Sequence, residues 1–211
     1  MGPVLIDVPS PLLTPRLVLR APVAGDGPKA LEAILATLPE LLAWMPWAVE
    51  EPRLEETEAF LRNAQADFIA RRDLVFYGFA READGSEGPM VVGAGLHRFD
   101  WRVRRFEIGY WRRRGYGGQG IVDEAVHALT RMAFERLAAQ RVEIRMDALN
   151  HRSARVAERC GFTFEGCLRQ DSRTRTGEPR DTRVYAKVRG VEWPGAAEPP
   201  PAALSPAGGA G

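Results

Sequence analysis

The sequence contains a glycine-rich segment from Arg112 to Val122, which reads RRRGYGGQGIV. It stands between a predicted strand, Phe106 to Trp111, and a strongly amphipathic stretch, Ile121 to Ala138. A glycine-rich turn that ends at a helix N-terminus exposes backbone N–H groups, and the helix dipole favours negative charge there. The segment therefore predicts an anion-binding loop, with phosphate as the expected anion.

Two familiar phosphate loops match the segment only in part. No Lys-Ser or Lys-Thr pair follows the glycines, which excludes a Walker loop. Gly115, Gly117 and Gly120 fit the spacing G-x-G-x-x-G of dinucleotide-binding folds, but that motif opens the first strand–helix–strand unit of its domain. Because this segment lies past the middle of the chain, a dinucleotide site is an alternative and not the main hypothesis.

The pattern of apolar residues predicts a mixed α/β domain. Helices are predicted over residues 25–45, 55–71, 121–138 and 153–160. Strands are predicted over residues 16–20, 74–81, 90–98, 106–111, 141–148, 162–169 and 182–188. Residues 1–13 are expected to be an extended lead-in and residues 14–189 a single domain. From residue 190 to 211, Pro, Ala and Gly dominate, which predicts a disordered tail.

Charge and composition narrow the classes of function. A formal net charge of +1 argues against nucleic acid as the main partner. No apolar run approaches the roughly 20 residues that cross a bilayer, and the N-terminus lacks the parts of a signal peptide, so no membrane partner is expected. The two cysteines, Cys160 and Cys167, form no disulfide framework or metal-ligand cluster. Both are expected to be small buried residues in a reducing cytoplasm, and no metal is expected.

Several blocks, taken together, resemble the GNAT superfamily of N-acetyltransferases. The blocks that carry the resemblance are EIGYW at 107–111, GQG at 118–120, EA at 124–125, N-x-x-S at 150–153 and VAERCGF at 156–162. TPRLVLR at 14–20 and WMPW at 44–47 resemble the RimJ/RimL-like branch, whose members acetylate N-termini of ribosomal proteins. The resemblance extends from Thr14 to Arg189 with the spacing between blocks intact.

The resemblance implies the GNAT acyl-CoA N-acyltransferase fold, in which a central mixed sheet contains two splayed parallel strands, here residues 106–112 and 141–148. It implies acetyl-CoA as the cofactor and CoA as the product. The residues it assigns to the cofactor are Ile108, Gly109, Tyr110, Trp111, Arg112, Gly117, Gly118, Gln119, Gly120, Ile121, Val122, Asn150 and Ser153. For Asn150, a turn-forming role is the alternative.

Two loop positions depart from the family's pattern. The family usually has Arg or Gln where this chain has Gly117, and a small residue where it has Val122. Both changes bear on cofactor affinity and not on the fold. Three arginines at 112–114 are near enough in sequence to compensate, although solvated arginines beside a loop are the commoner case.

Acyl transfer to an amine needs a proton acceptor for the amine and a proton donor for the leaving thiolate. Glu107, at the start of the first splayed strand, is predicted to take the proton through a water, with Asp147 and His97 as alternatives. The resemblance assigns the donor role to Ser153, for which a helix N-cap is the alternative. Trp44 and Trp47 are predicted to line the substrate pocket, although such a pair more often belongs to the hydrophobic core.

The main functional hypothesis is transfer of an acetyl group from acetyl-CoA to a protein N-terminal α-amine. A small amine, polyamine or antibiotic as the acceptor is the first alternative. An acyl-CoA-binding module without turnover is the second. A cytoplasmic location is expected, and a homodimer is an assembly to test because members of this branch are often dimeric.

Overall fold

The computed structural model describes residues 2–48 and 51–195. Its helices are α1 (Gly27–Leu35), α2 (Leu38–Trp44), α3 (Leu54–Ala70), α4 (Ile121–Arg136) and α5 (His151–Arg159). Its strands are β1 (Leu12–Leu13), β2 (Leu17–Arg20), β3 (Leu74–Arg81), β4 (Glu87–Asp100), β5 (Arg105–Arg112), β6 (Arg141–Asp147), β7 (Thr163–Arg173) and β8 (Pro179–Val188). The mixed α/β class predicted from the apolar pattern is therefore confirmed.

The strands form one sheet in the order β1-β2-β3-β4-β5-β6-β8-β7. Neighbouring strands pair antiparallel from β1 to β5, and again from β6 through β8 to β7. β5 and β6 are parallel, and α4 makes the crossover between them. This one parallel pair at the centre of the sheet is where the site described below is formed.

Helices cover both faces of the sheet. On one side, buried residues of α4 such as Leu129 pack in the main core with Phe106 and Ile108 of β5. On the other side, Ala33 of α1 and Leu61 of α3 pack in a second cluster with residues of β3 and β4. Because side chains alternate along a strand, neighbouring residues of β5 face opposite sides. We call these sides the α4 face and the α1 face.

The helix predicted over residues 25–45 is two helices. α1 ends at Leu35, and α2 begins at Leu38 with Pro39 in its first turn. Proline lacks a backbone N–H donor and is tolerated in the first turn of a helix but not inside one. Thr37 marks the break, and its hydroxyl donates to the carbonyl of Ala33 at 2.8 Å.

Both ends of the described chain pack on the domain. Ile6 and Val8, in the predicted lead-in, are buried in the main core. Trp193, in the predicted tail, stacks on Phe134 of α4 with ring centroids 4.7 Å apart and planes at 7°. The prediction of a disordered tail is therefore wrong for residues 190–195, and residues 196–211 lie outside the described residues.

The two cysteines differ in environment. Cys160 is buried, and burial raises the pKa of its thiol to about 12. Cys167 is exposed on β7, the last strand of the sheet, so the expectation that both are buried is wrong for Cys167. Among residues 2–48 and 51–195, no helix is both long and apolar enough to span a bilayer. Over the same ranges, no cluster of His, Cys, Asp or Glu could hold a metal ion.

Candidate active site

The central parallel strands part after three residue pairs. Residues 105–107 of β5 pair with residues 141–143 of β6, the last pair being Glu107 and Glu143. Beyond that point β5 continues to pair with β4 as far as Arg112, and β6 pairs with β8 as far as Asp147. A wedge-shaped gap therefore opens between β5 and β6, as predicted for the two splayed strands.

Backbone groups of β5 line this gap. The N–H of Arg113 donates to the carbonyl of Val91 at 2.9 Å. Since backbone groups alternate in direction along an antiparallel pair, this bond fixes which residues of β5 point away from β4. They are Ile108, Tyr110 and Arg112, and their N–H and C=O groups face the gap. These backbone groups are therefore available to a ligand in the gap.

The glycine-rich loop leads from β5 to the N-terminus of α4. Gly118 and Gly120 have φ angles of 73° and 69°, and Gly120 is the N-cap of α4. These left-handed conformations favour glycine because a side chain would clash with the backbone. At the start of the helix, Ile121 is buried and Val122 is half-buried against the main core. The predicted loop residues therefore lie at a helix N-terminus, where backbone N–H groups and the dipole favour an anion.

Arg16, just before β2, binds this loop. Its Nε lies 2.6 Å from the carboxylate of Glu124, and its Nη1 donates to the carbonyl of Gln119. Burial disfavours the charge on Glu124, but hydrogen bonds from Thr14 and Arg16 outweigh it and lower the pKa of that carboxyl. Arg16 was not among the predicted site residues. The signal was present, because Arg16 belongs to the TPRLVLR block at 14–20.

The three arginines at 112–114 have different surroundings. Arg113 pairs with Glu32 of α1 at 2.6 Å, and Arg114 pairs with Glu40 of α2 at 2.8 Å. Arg112 has no ion pair within the described residues, and its Nη1 is buried without a hydrogen-bond partner there. Nη1 of Arg113 is also buried without a hydrogen-bond partner in the described part of the chain, but Arg113 is already paired with Glu32, so Arg112 is the arginine of this run without a paired carboxylate among the described residues.

A hydrogen bond joins the two sides of the gap. The hydroxyls of Tyr110 on β5 and Ser153 in α5, the helix that follows β6, lie 2.9 Å apart. Asn150 is the N-cap of α5, and its Oδ1 accepts the backbone N–H of Ser153 at 3.1 Å. Ser153 is therefore not the N-cap, and its hydroxyl is directed to Tyr110. Burial raises the pKa of the Tyr110 hydroxyl, so this group stays protonated at neutral pH.

On the α1 face, β4 has glycine at two positions beside β5. Gly93 and Gly95 of β4 lie beside Trp111 and Gly109 of β5, respectively. The indole of Trp111 covers Gly93, because a Cβ added there would collide with that ring. Close packing of this kind requires glycine in the strand.

The predicted pocket residues differ in their contacts. Trp47 is 53% exposed, and its ring centroid lies 6.5 Å from that of Trp111 at an angle of 58°. Trp44, the last residue of α2, is half-buried. The structure thus places Trp47 beside β5 on the α1 face. The roles of both tryptophans in substrate binding stay predictions.

The two predicted carboxylate bases are both engaged. Glu107 is buried and not a solvent-exposed strand end, and its Oε1 accepts a hydrogen bond from Arg98. Asp147 accepts the backbone N–H of Leu149 at 2.8 Å, and Arg180 lies 3.6 Å from its other oxygen. The catalytic role of Glu107 stays a prediction.

Comparison with known proteins identifies the family. The model for an acetyltransferase (GNAT) domain matches residues 16–163. The ribosomal-protein-serine acetyltransferase of Escherichia coli is 35% identical over 102 residues, which are 48% of this chain and 56% of that protein. YdaF of Bacillus subtilis, named as a candidate ribosomal N-acetyltransferase, is 38% identical over 112 residues, or 53% of this chain and 58% of its own.

The matched region thus spans little more than half the length of these two relatives. A solved structure of RimL, described as a ribosomal alpha-N-protein acetyltransferase in complex with coenzyme A, superimposes with a TM-score of 0.76. It is 22% identical and covers 87% of this chain and 99% of its own, which shows a common fold. The family match, supported by the splayed sheet, shows that the chain belongs to the GNAT acetyltransferase family, and its named relatives are similar to the RimJ/RimL-like branch.

Proposed function

We propose that this protein transfers an acetyl group from acetyl-CoA to the α-amino group of a protein N-terminus. The observation that carries the proposal is the gap between β5 and β6, which opens directly beside a glycine-rich loop at the N-terminus of α4. Two relatives bear names of ribosomal-protein acetyltransferases, and the superimposed RimL structure contains coenzyme A. These names support the choice of donor and acceptor.

The chain's own residues fit the phosphates of such a donor. The N-terminus of α4 offers backbone N–H groups at residues 118–122, and the buried Nη1 of Arg112 lacks a partner within the described residues. We propose that Gly117, Gly118, Gln119, Gly120, Ile121 and Val122, together with Arg112, hold the pyrophosphate. Ile108, Gly109, Tyr110, Trp111 and Asn150 are proposed to line the rest of the cofactor site. When bound, acetyl-CoA supplies an acetyl group activated as a thioester.

Ser153 is proposed to donate a hydrogen bond to the sulfur as the thiolate leaves. Its hydroxyl is hydrogen-bonded to the hydroxyl of Tyr110 on β5, and the Tyr110 hydroxyl stays protonated at neutral pH. One of Glu107, Asp147 and His97 is proposed to accept the proton of the amine. Their side chains differ in their hydrogen-bond and ion-pair partners.

The acceptor is proposed to lie on the α1 face, next to Trp47 and Trp111. The exposed ring of Trp47 supports this placement, because an aromatic wall suits the apolar part of a peptide or of a small amine. A small-molecule amine therefore stays the alternative acceptor. We also propose a cytoplasmic location, which the free Cys160 and Cys167 support. A homodimer is the proposed assembly, on the resemblance alone.

A two-stage experiment tests the proposal. First, millimolar CoA should raise the melting temperature by binding the native state, whereas NAD should not. Second, release of free CoA is followed with a library of peptides with free N-termini and with a panel of small amines. Turnover with peptides supports the proposal, and turnover with small amines alone favours the alternative. A CoA-dependent shift without turnover of either class would identify a binding module, and a shift with NAD alone would identify a dinucleotide site.

A further inference from the structure

Four titratable residues form a line across the sheet on the α1 face. Asp73 immediately precedes β3, and His97 of β4, Glu107 of β5 and Glu143 of β6 follow in adjacent register. The Nδ1 of His97 lies 2.7 Å from Oδ1 of Asp73. Because a carboxylate only accepts hydrogen bonds, this contact fixes the proton of a neutral imidazole on Nδ1 and leaves the lone pair on Nε2.

The His97 ring leans along the sheet toward the gap. A Cβ added at Gly109 would lie 2.9 Å from Cδ2 and 3.2 Å from Nε2 of His97. A Cβ added at Gly95 would lie 2.7 Å from the same Nε2. The imidazole therefore rests on two glycines, and Gly109 is two residues beyond the last pair of β5 and β6. This places Nε2 above the strand where the gap begins.

The two carboxylates nearest the gap are held differently. Arg98 has a left-handed backbone (φ 42°) beside an irregularity in β4, and its guanidinium binds Glu107. The Glu107 side chain is 10% exposed, and its Oε1 is already bound by Arg98. The His97 side chain is 32% exposed, and its Nε2 has no hydrogen-bond partner among the described residues.

We propose that His97, and not Glu107, accepts the proton of the acceptor amine, and that Asp73 is its positioning residue. The inference rests on the proposed acetyl transfer. A carboxylate that binds one imidazole nitrogen sets the tautomer, orients the ring and stabilises the charged form, as in other histidine bases. Glu107 and its partner Arg98 then serve to stabilise the strand pair beside the site.

The proton balance is as follows. As the amine nitrogen forms a bond to the acetyl carbon, the carbon–sulfur bond of the thioester breaks and the thiolate leaves. The nitrogen gives up one proton, which Nε2 of His97 accepts. The resulting imidazolium is paired with Asp73 and returns its proton to solvent. The Ser153 hydroxyl hydrogen-bonds the thiolate, which takes up a proton from solvent.

The test compares His97→Gln, Asp73→Asn and Glu107→Gln with the parent enzyme. The rate constant kcat is measured against pH with a peptide acceptor whose N-terminal amine is weakly basic and stays neutral over the range. Any fall in kcat on the acidic side then reports an enzyme group. The charged groups around His97 are Asp73, Glu107, Glu143 and Arg98. His127→Gln, on the outer side of α4, is the control for loss of an imidazole.

We expect His97→Gln to lower kcat by about 10²–10⁴-fold and to abolish the acidic limb. Asp73→Asn should lower kcat less, because the imidazole is kept but no longer oriented. Glu107→Gln and His127→Gln should keep both the limb and its position. Parental kcat and an unchanged limb in His97→Gln, or loss of the limb in Glu107→Gln, would overturn the assignment.

Long-range ¹⁵N–¹H spectra give a readout that needs no turnover. The His97 signals are assigned by their loss in His97→Gln, and above neutral pH they should show a protonated Nδ1 and a bare Nε2. Asp73→Asn should give a mixture of the two neutral tautomers of the His97 imidazole. A proton found on Nε2 in the parent overturns the inference, whatever the acceptor is. An enzyme without peptide turnover contradicts the proposed function instead, so the two failures are distinguishable.

Discussion

Arg112 occupies the space that a side chain at Gly117 would need. A Cβ added at Gly117 would lie 2.6 Å from Nη1 of Arg112, the same nitrogen that is buried without a partner in the described part of the chain. Glycine at 117 removes a side chain from the loop, and it lets a strand arginine reach the loop instead. Where the family usually has Arg or Gln, this chain therefore has Gly117 with the guanidinium of Arg112 beside it.

Arg112→Ala should weaken CoA binding by about 10–100-fold, since a charge-assisted hydrogen bond contributes about 1.5–3 kcal/mol. Titration calorimetry at low and high salt measures the loss, which should be larger at low salt. Arg114→Ala is the matched control, because Arg114 pairs with Glu40. Equal losses in the two variants would mean that Arg112 has no special contact with the phosphates.

Gly120→Val should abolish CoA binding. The residue caps α4 with φ 69°, and a β-branched side chain there would block the backbone N–H groups and meet Arg16, whose Nη2 would be 3.3 Å from an added Cβ. The control is Gly85→Val in the β3–β4 turn, at φ 85° and with open space around it. Both variants should lower the melting temperature by a similar amount. Unchanged CoA affinity in Gly120→Val would place the phosphates elsewhere.

Sequence patterns located the main strands and helices because local periodicity determines them. The span 74–81 coincides with β3, and α4 begins at residue 121, where the glycine-rich segment predicts a helix start. Hydrophobic spacing alone predicted one long helix over residues 25–45. Pro39 is the sequence signal against that helix, because proline is tolerated in the first turn of a helix but not inside one.

The sequence alone did not predict which residues that are distant in the chain contact each other. The contact between Asp73 and His97 joins residues 24 positions apart and depends on the register of β3 against β4. The ion pair between Arg98 and Glu107 likewise depends on the irregular end of β4. The stacking of Trp193 on Phe134 also joins residues that are far apart in the sequence. Motif spacing predicted which residues belong to the site, and the strand register determines which of their side chains already have hydrogen-bond partners.

Trp193→Ala should lower the free energy of unfolding by about 1–2 kcal/mol, because the indole stacks on Phe134 and packs against the main core. Relative to a chain that ends at Gly195, truncation after Gly190 should have a larger effect, because it also removes Glu192, whose carboxylate accepts hydrogen bonds from Thr163 at 2.7 Å and from the backbone of Val188 at 2.9 Å. Chemical denaturation of the three variants measures the differences. Equal stability of the chains ending at 190 and 195 would show that the stacked ring contributes nothing.

The pair of Arg20 and Asp26 should make stability depend on acid pH. Burial disfavours the charge on Asp26, but bonds from Arg20 at 2.7 Å and from the backbone of Val23 outweigh it and lower the pKa of that carboxyl. A lowered pKa in the folded state adds stability above the unfolded value of about 3.9, and that stability is lost as the pH falls through the folded value.

Asp26→Asn should therefore cost about 2 kcal/mol at pH 7, and the difference from the parent should shrink below pH 4. Urea denaturation at several pH values measures it. Asp67→Asn is the control, because Asp67 forms a surface pair with the exposed Arg72 and its replacement should change nothing measurable. A difference that is independent of pH would mean that the charge of Asp26 is not what stabilises the fold.

Ser153→Ala should reduce kcat by about 10-fold through loss of one hydrogen bond to a developing thiolate. The loss should shrink when the donor carries a more acidic thiol, because a better leaving group needs less help. Tyr110→Phe should reduce kcat less, since Ser153 keeps its hydroxyl but loses the partner 2.9 Å away that orients it. Ser86→Ala, in the β3–β4 turn, is the control for loss of a serine hydroxyl. If the loss in Ser153→Ala stays constant across donors, then the hydroxyl orients the cofactor and does not serve the leaving sulfur.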